Sequence, residues 1–218
     1  DCSSRGLGDV YKRQIQDFLN ASELSLDLRF DSSSLKKSGQ LGSVILVASG
    51  KGGVGKSTIA ANIALALKEE GAVVGLLDAD IYGPSQGILL GRSGSPKPSM
   101  GRDKGIEPVL FEGLRVMSMS YLSNDATPMV WRGPMASSAV QKILTQTSWG
   151  RLDYLIIDMP PGTGDIQLTI SQQVQSAGAV IVTTPQDIAL LDAKKAIEMF
   201  RKVSIPILGI VENMSELV

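Results

Sequence analysis

The chain has 218 residues, 43% of them hydrophobic, and its 21 basic residues nearly balance its 22 acidic ones. This balance argues against nucleic acid as the main partner, and no apolar run approaches the ~20 residues that a membrane span needs. Histidine is absent and Cys2 is the single cysteine, which excludes histidine catalysis and any disulfide or chelating cysteine pair within one chain. No secretory signal is present either, so a cytoplasmic protein is expected.

The first segment of the chain predicts no globular structure. Residues 1–14 have no usable period, and their DVYKRQ run resembles a translated sequencing adapter, so we interpret them as a non-native leader. In residues 15–43, the alternating Leu24, Leu26, Leu28 and Phe30 suit a strand or the tail of an upstream module, and the polar stretch that follows is typical of a linker. The main domain is therefore predicted to span residues 44–218.

The first strand is predicted at residues 44–48, and a phosphate-binding loop follows it. GKGGVGKST at residues 50–58 matches the pattern G-x-x-x-x-G-K-[ST], and residues 59–70 have helical periodicity with Gly71 as a stop signal. Glycines allow successive N–H groups to turn around a phosphate, and the helix N-terminus adds its dipole. The predicted nucleotide-binding residues are Gly50, Lys51, Gly52, Gly53, Val54, Gly55, Lys56, Ser57 and Thr58, with Lys56 on the outer phosphates and the Ser57 hydroxyl on Mg²⁺.

Two acids close the second predicted strand, residues 73–77. Asp78 and Asp80 are expected at the carboxyl end of a parallel strand, the edge where α/β sheets bind ligands. Beside a phosphate loop they predict positioning of metal-bound water and of the attacking water, whereas elsewhere they would be read as surface acids. The turn at residues 81–85 is expected to move with nucleotide state.

The middle of the chain is less specific. Residues 91–105 predict a long exposed loop, and residues 114–119 a third strand whose Met117 and Met119 pack in the core. Residues 128–134, PMVWRGP, indicate a shaped loop. An amphipathic helix is predicted at residues 135–147.

The next strand, residues 154–158, ends in an acid, which is the Walker B arrangement. Asp158 is expected to hold Mg²⁺ through water, and Gly162 and Gly164 predict a switch loop near the γ-phosphate.

The remaining elements are a strand at 179–183, a helix at 189–203 and a strand at 207–211. Asn213 is placed to bond an adenine edge, although a lone asparagine there also suits a turn. The fold class is α/β, a mostly parallel doubly wound sheet flanked by helices. Because no closing helix follows the last strand, we expect a truncation at this end.

These motifs together resemble the Mrp family of P-loop iron–sulfur cluster carriers, within the superfamily of MinD, ParA and the nitrogenase iron protein. The resemblance covers about residues 41–215 and rests on GKGGVGKST, LLDADIYGPS, WRGPM, DYLIIDMPPGTGD, TTPQDIALLDAKKA and GIVENMS. It implies slow ATP hydrolysis with Mg²⁺, which Ser57 and Asp158 would serve. It also implies that Asp78 and Asp80 organise metal-bound and attacking water and that Asn213 contacts the base.

The second lysine of the loop implies a dimer. In the superfamily that Lys51 resembles, this early lysine reaches across an ATP-sandwich homodimer, and Asp192 is then expected to pair with it near the interface. A solvated lysine at a loop tip is the simpler alternative. Iron–sulfur apoproteins are the other partners that the resemblance implies, with no nucleic acid and no membrane.

The chain departs from the family pattern after ENMS. Members carry a Cys-x-x-Cys pair there that bridges a [4Fe–4S] cluster between subunits, but this sequence ends at Val218. The cluster is therefore expected only in the full-length protein, and residues 15–43 are the remnant at most of an N-terminal accessory domain. A MinD/ParA-type positioning or partition switch is the alternative, although the membrane helix or basic face that it predicts is not visible. A P-loop kinase or ligase would need an acceptor site that we do not find.

Overall fold

The computed structural model of the chain describes residues 42–81, 83–90, 98–99, 105–122 and 133–215. Several predictions lie outside these residues: the leader, nearly all of the segment 15–43, most of the loop 91–105, and residues 128–132 of the shaped loop.

The described residues form an α/β fold, and the predicted fold class is confirmed. In chain order the strands are β1 (Ser43–Ala48), β2 (Val74–Asp78), β3 (Val109–Phe111), β4 (Leu114–Ser118), β5 (Tyr154–Asp158), β6 (Ser176–Thr183) and β7 (Ile207–Glu212). The helices are α1 (Lys56–Glu69), α2 (Gln86–Leu89), α3 (Gly133–Gln146), α4 (Asp165–Gln173) and α5 (Asp187–Lys202), with a 3₁₀ turn at Met119–Leu122.

The seven strands form one sheet in the order β3-β4-β2-β5-β1-β6-β7. All neighbouring pairs are parallel except β3 and β4, which form an antiparallel hairpin. The central strands are apolar on both faces, as parallel strands between two helical layers must be. This order places the carboxyl ends of β2, β5 and β1 side by side, and the functional site is built at that edge.

Two hydrophobic clusters cover the two faces of the sheet. Helix α1 packs one face through Ala60, Ala64 and Leu67. Helices α3, α4 and α5 pack the other face through Ile143, Ile170, Ile197, Phe200 and further apolar residues. Met117 and Met119 are 0% and 2% exposed within the second cluster, as predicted. Within the described residues, none of the helices has both the length and the apolar character needed to cross a bilayer.

The structure corrects the predictions for several elements. The hairpin strand β3 and the helices α2 and α4 were missed, so the strand predicted as third is the fourth. Helix α3 begins at Gly133, so the last two residues of the loop predicted at 128–134 are helical. Helix α5 begins at Asp187, two residues before its predicted start, and strand β6 begins at Ser176, three residues before its predicted start.

Candidate functional site

The loop between β1 and α1 has the backbone that a phosphate site needs. Gly53 and Gly55 have φ of 79° and 86°, in the left-handed region that favours glycine. Gly55 is the N-cap of α1, and no side chain caps the helix there. The first N–H groups of α1 are therefore not capped by a side chain, which suits an anion.

Two glycines of this loop allow other elements to approach closely. A Cβ on Gly50 would lie 2.2 Å from the backbone carbonyl of Asp192 in α5, and a Cβ on Gly55 would lie 2.2 Å from Nδ2 of Asn213. Asn213 Nδ2 donates to the carbonyl oxygen of Val54 at 2.9 Å. Asn213, the residue after β7, thus anchors the phosphate loop through this hydrogen bond. Its contact with adenine stays a prediction.

Lys56 is buried against the acid at the end of β5. In the sheet register, Asp158 lies between Val47 of β1 and Asp78 of β2. Lys56 Nζ lies 2.5 Å from Asp158 Oδ1 and 3.9 Å from Asp80 Oδ2. Lys56 is 6% exposed and Asp158 is 0% exposed, so the ammonium is the countercharge of a fully buried carboxylate.

Asp78 holds the loop that follows β2. Its Oδ2 accepts hydrogen bonds from the backbone N–H groups of Ser85 and Gln86 and from the Ser118 hydroxyl, and its Oδ1 accepts from the N–H of Asp80. Burial, and then the charge of Asp158, raise the pKa of Asp78 to about 7. The role predicted for Asp78 in positioning water stays untested, and the hydrogen bonds that its carboxylate accepts come from its own loop and from Ser118.

Asp80 lies on the wall of a cavity of about 300 Å³ that opens beside the phosphate loop. One side of the cavity is formed by the loop and the start of α1, including Lys56, Ser57 and Thr58. Gly83 and Ser85 face them from the loop after β2, and Pro161 from the loop after β5. The loop after β5 is tied to the phosphate loop because Gly162 N donates to Ser49 O at 3.0 Å.

Sequence reasoning missed one buried residue of this site. Gln86, the first residue of α2, donates from Nε2 to the Ser57 carbonyl oxygen at 2.8 Å and to Asp158 Oδ2 at 2.9 Å. Its side chain is 0% exposed. The only sequence signal is its place directly after the DADIYGPS run.

The oxygen donors at this edge fit Mg²⁺. The Ser57 hydroxyl, the Asp158 carboxylate and the buried Gln86 Oε1, which has no donor among the described residues, are hard oxygen ligands or partners for metal-bound water. No group of three or more acidic, cysteine or histidine side chains gathers as a metal cage within the described residues. Mg²⁺ keeps several waters and binds substrate phosphates as well, so it takes few protein ligands.

Lys51 is half-buried at the loop and is not among the described residues that line the cavity of its own chain. The partner that the structure gives Asp192 is Lys195, whose Nζ lies 3.0 Å from Asp192 Oδ1. The pairing of Asp192 with Lys51 therefore stays a prediction for a dimer.

Residues 40–218 match a family model described as ParA, the NUBPL iron-transfer P-loop NTPase. The chain is 64% identical over 172 residues to an iron-sulfur cluster carrier protein of Pseudomonas fragi, covering 79% of the chain and 60% of that protein. It is 56% identical over 174 residues to the iron-sulfur cluster transfer protein NUBPL of Mus musculus, covering 79% and 54%. The chain thus spans about half the length of the curated relatives it matches.

Among solved structures, the fold is similar to a nucleotide-binding protein of Archaeoglobus fulgidus in complex with ADP. The TM-score is 0.69 at 43% sequence identity, covering 80% of this chain and 67% of that one.

Proposed function

Because the chain belongs to the family of NUBPL-type iron-transfer P-loop NTPases, we propose that it binds and slowly hydrolyses ATP and carries iron–sulfur clusters to apoproteins. Its resemblance to the Mrp-type cluster carriers is confirmed by the family match and by the names of its relatives. Those names favour the carrier over a positioning or partition switch.

The observation that carries the proposed nucleotide binding is the buried Lys56, the first residue of α1, whose N-terminus has no side-chain cap. Its ammonium lies 2.5 Å from Asp158, and Lys56 lines the cavity beside the phosphate loop. In the proposed complex this ammonium turns to the outer phosphates, while the N–H groups of the loop enclose them. Bound Mg²⁺, held by Ser57 and Asp158, would neutralise phosphate charge. Phosphoryl transfer then depends mainly on positioning and on electrostatic stabilisation, so no strong general base is required.

The carrier part concerns a cluster as cargo. Iron–sulfur clusters are held by cysteine thiolates, and none of the described residues is a cysteine. We therefore assign the cluster ligands to a part of the protein outside the described residues. Transfer of a cluster to an apoprotein is the reaction that tests this assignment.

The proposed active form is a homodimer in which Lys51 acts on the nucleotide of the partner. Replacing Lys51 by alanine should leave ATP affinity within about twofold and lower turnover by about 100-fold or more, the order of effect of removing one preorganised donor from a transition state. Nucleotide titration and steady-state phosphate release measure the two effects separately.

Lys202→Ala is the matched control, because Lys202 is exposed at the far end of α5. It should behave like the unaltered chain in both measurements. Full activity of the Lys51→Ala variant, or of a monomer, would remove the trans-acting lysine from the mechanism.

A further inference from the structure

Gln86 connects three parts of the nucleotide site through one buried side chain and its own backbone. Nε2 donates to the Ser57 carbonyl in the first turn of α1 and to Asp158 Oδ2 at the end of β5, which uses both of its hydrogens. Its backbone N–H donates to Asp78 Oδ2 at 3.0 Å. The residue therefore links the ends of β2 and β5 to the phosphate loop.

The two oxygens of Asp158 are held by different partners. Oδ1 accepts from Lys56 and Oδ2 accepts from Gln86. In the proposed function Lys56 leaves Asp158 for the phosphates, and Gln86 is then the remaining side-chain partner that the described residues give to Asp158. Without it, a fully buried carboxylate would be free to rotate away from the orientation that a metal ion needs.

The side-chain oxygen of Gln86 points to a ligand. Oε1 is buried and has no hydrogen-bond partner among the described residues. A buried acceptor without a donor is costly, so a donor is expected to arrive with the ligand. A water bound to a divalent cation is such a donor, and the Ser57 and Asp158 oxygens that suit the cation lie on the two residues that Gln86 contacts.

We propose that Gln86 is a positioning residue for the divalent cation of the nucleotide site, orienting Asp158 through Nε2 and accepting a hydrogen bond from a metal-bound water at Oε1. The inference rests on the proposed nucleotide function. Partners of metal ligands of this kind affect metal affinity by about 10–100-fold.

The test compares ADP affinity with Mg²⁺ and with EDTA, measured by calorimetric titration, for three forms of the chain. Gln86→Met keeps the length of the side chain and removes both polar atoms, so it should lower the Mg²⁺ enhancement of ADP affinity by about tenfold or more while leaving affinity in EDTA within about twofold. Gln86→Glu keeps an acceptor for the metal-bound water but replaces the Nε2 donor to Asp158 Oδ2 by a second carboxylate, so it should also lower the Mg²⁺ enhancement of ADP affinity.

Gln167→Met is the control for loss of a buried amide. Gln167 is 1% exposed, and its Nε2 donates to the backbone carbonyl oxygen of Pro160. Unlike Gln86, it does not donate to the Asp158 carboxylate that is proposed to serve the metal. It should lose thermal stability but keep the Mg²⁺ enhancement. Circular dichroism melting of every variant separates folding from binding, and Gln86→Glu provides the test if Gln86→Met does not fold.

A lower Mg²⁺ enhancement in both Gln86→Met and Gln86→Glu, with Gln167→Met unaltered, would support the proposal. An unaltered enhancement in both, with the unaltered chain binding Mg·ADP, would overturn the role of Gln86 alone and leave the nucleotide function standing. Failure of the folded, unaltered chain to bind ADP at all would overturn both.

Discussion

Replacing Lys56 by alanine is expected to weaken ATP binding strongly and to destabilise the fold. A charge-assisted hydrogen bond contributes about 1.5–3 kcal/mol, so loss of the phosphate contact alone should weaken ATP binding by about 10- to 100-fold. The substitution also leaves Asp158 as a fully buried carboxylate without its ammonium partner at 2.5 Å. Breaking a buried pair from one side costs about 3–5 kcal/mol, so the free energy of unfolding should fall as well.

Folding and binding are separated by a second substitution. Adding Asp158→Asn to Lys56→Ala replaces the unpaired charge by a neutral amide, so it should restore part of the stability without restoring ATP binding. Denaturant unfolding and nucleotide titration measure the two quantities. Lys68→Ala, in the last turn of the same helix, is the control and should bind ATP normally. Unchanged ATP affinity in Lys56→Ala would refute the assignment of the phosphate loop.

Replacing Gly50 by alanine is expected to destabilise the fold. Among the loop glycines whose φ is not positive, this substitution should cost the most stability. The new Cβ would lie 2.2 Å from backbone atoms of Asp192, a distance that real Cβ atoms do not adopt. Because the obstacle is the backbone of α5, the helix or the loop must shift, at a cost of about 1–3 kcal/mol. For a chain of this size each kcal/mol lowers Tm by about 2–4 °C.

Gly52→Ala is the matched control within the same loop. A Cβ on Gly52 meets no heavy atom within 4 Å, and its φ is not in the left-handed region. Its free energy of unfolding should therefore stay within about 0.5 kcal/mol of the unaltered chain. Equal Tm values for the two variants would show that α5 does not pack against Gly50 as described.

The sequence predicts the strands β1, β5 and β7 well because their physical signals are local. The run Tyr154–Asp158 is apolar and closed by an acid, and β5 has the same limits. The predicted limits of β1 and β7 differ from the observed ones by one residue. In each case the parallel strand coincides with a largely apolar run that is bounded by turn residues.

The missed elements have weak local signals. Helix α4 contains β-branched Thr169 and Ile170, and no side chain caps its start at Gly164. Strand β3 is three residues long and its hairpin turn is Glu112-Gly113, where both residues have positive φ. Glutamate is a poor signal for that conformation, since Asn-Gly or Asp-Gly is the usual one.

The candidate site divides in the same way. The phosphate loop is predictable because all of its groups lie within nine consecutive residues. The bond between Gln86 and Asp158 joins residues 72 positions apart, and that between Asn213 and Val54 joins residues 159 apart. Such contacts depend on the order of strands in the sheet, which the periodicity of one segment does not contain.

The most direct test of an ATP-dependent cluster carrier is transfer of the cargo itself. The full-length protein is reconstituted anaerobically with iron and sulfide, and acquisition of a [4Fe–4S] cluster by an apoprotein is followed by absorbance, with and without Mg·ATP. We predict that the protein acquires a cluster, that transfer occurs, and that Mg·ATP changes its rate in the unaltered protein but not in Lys56→Ala. A folded protein that binds ATP and acquires no transferable cluster would contradict the account.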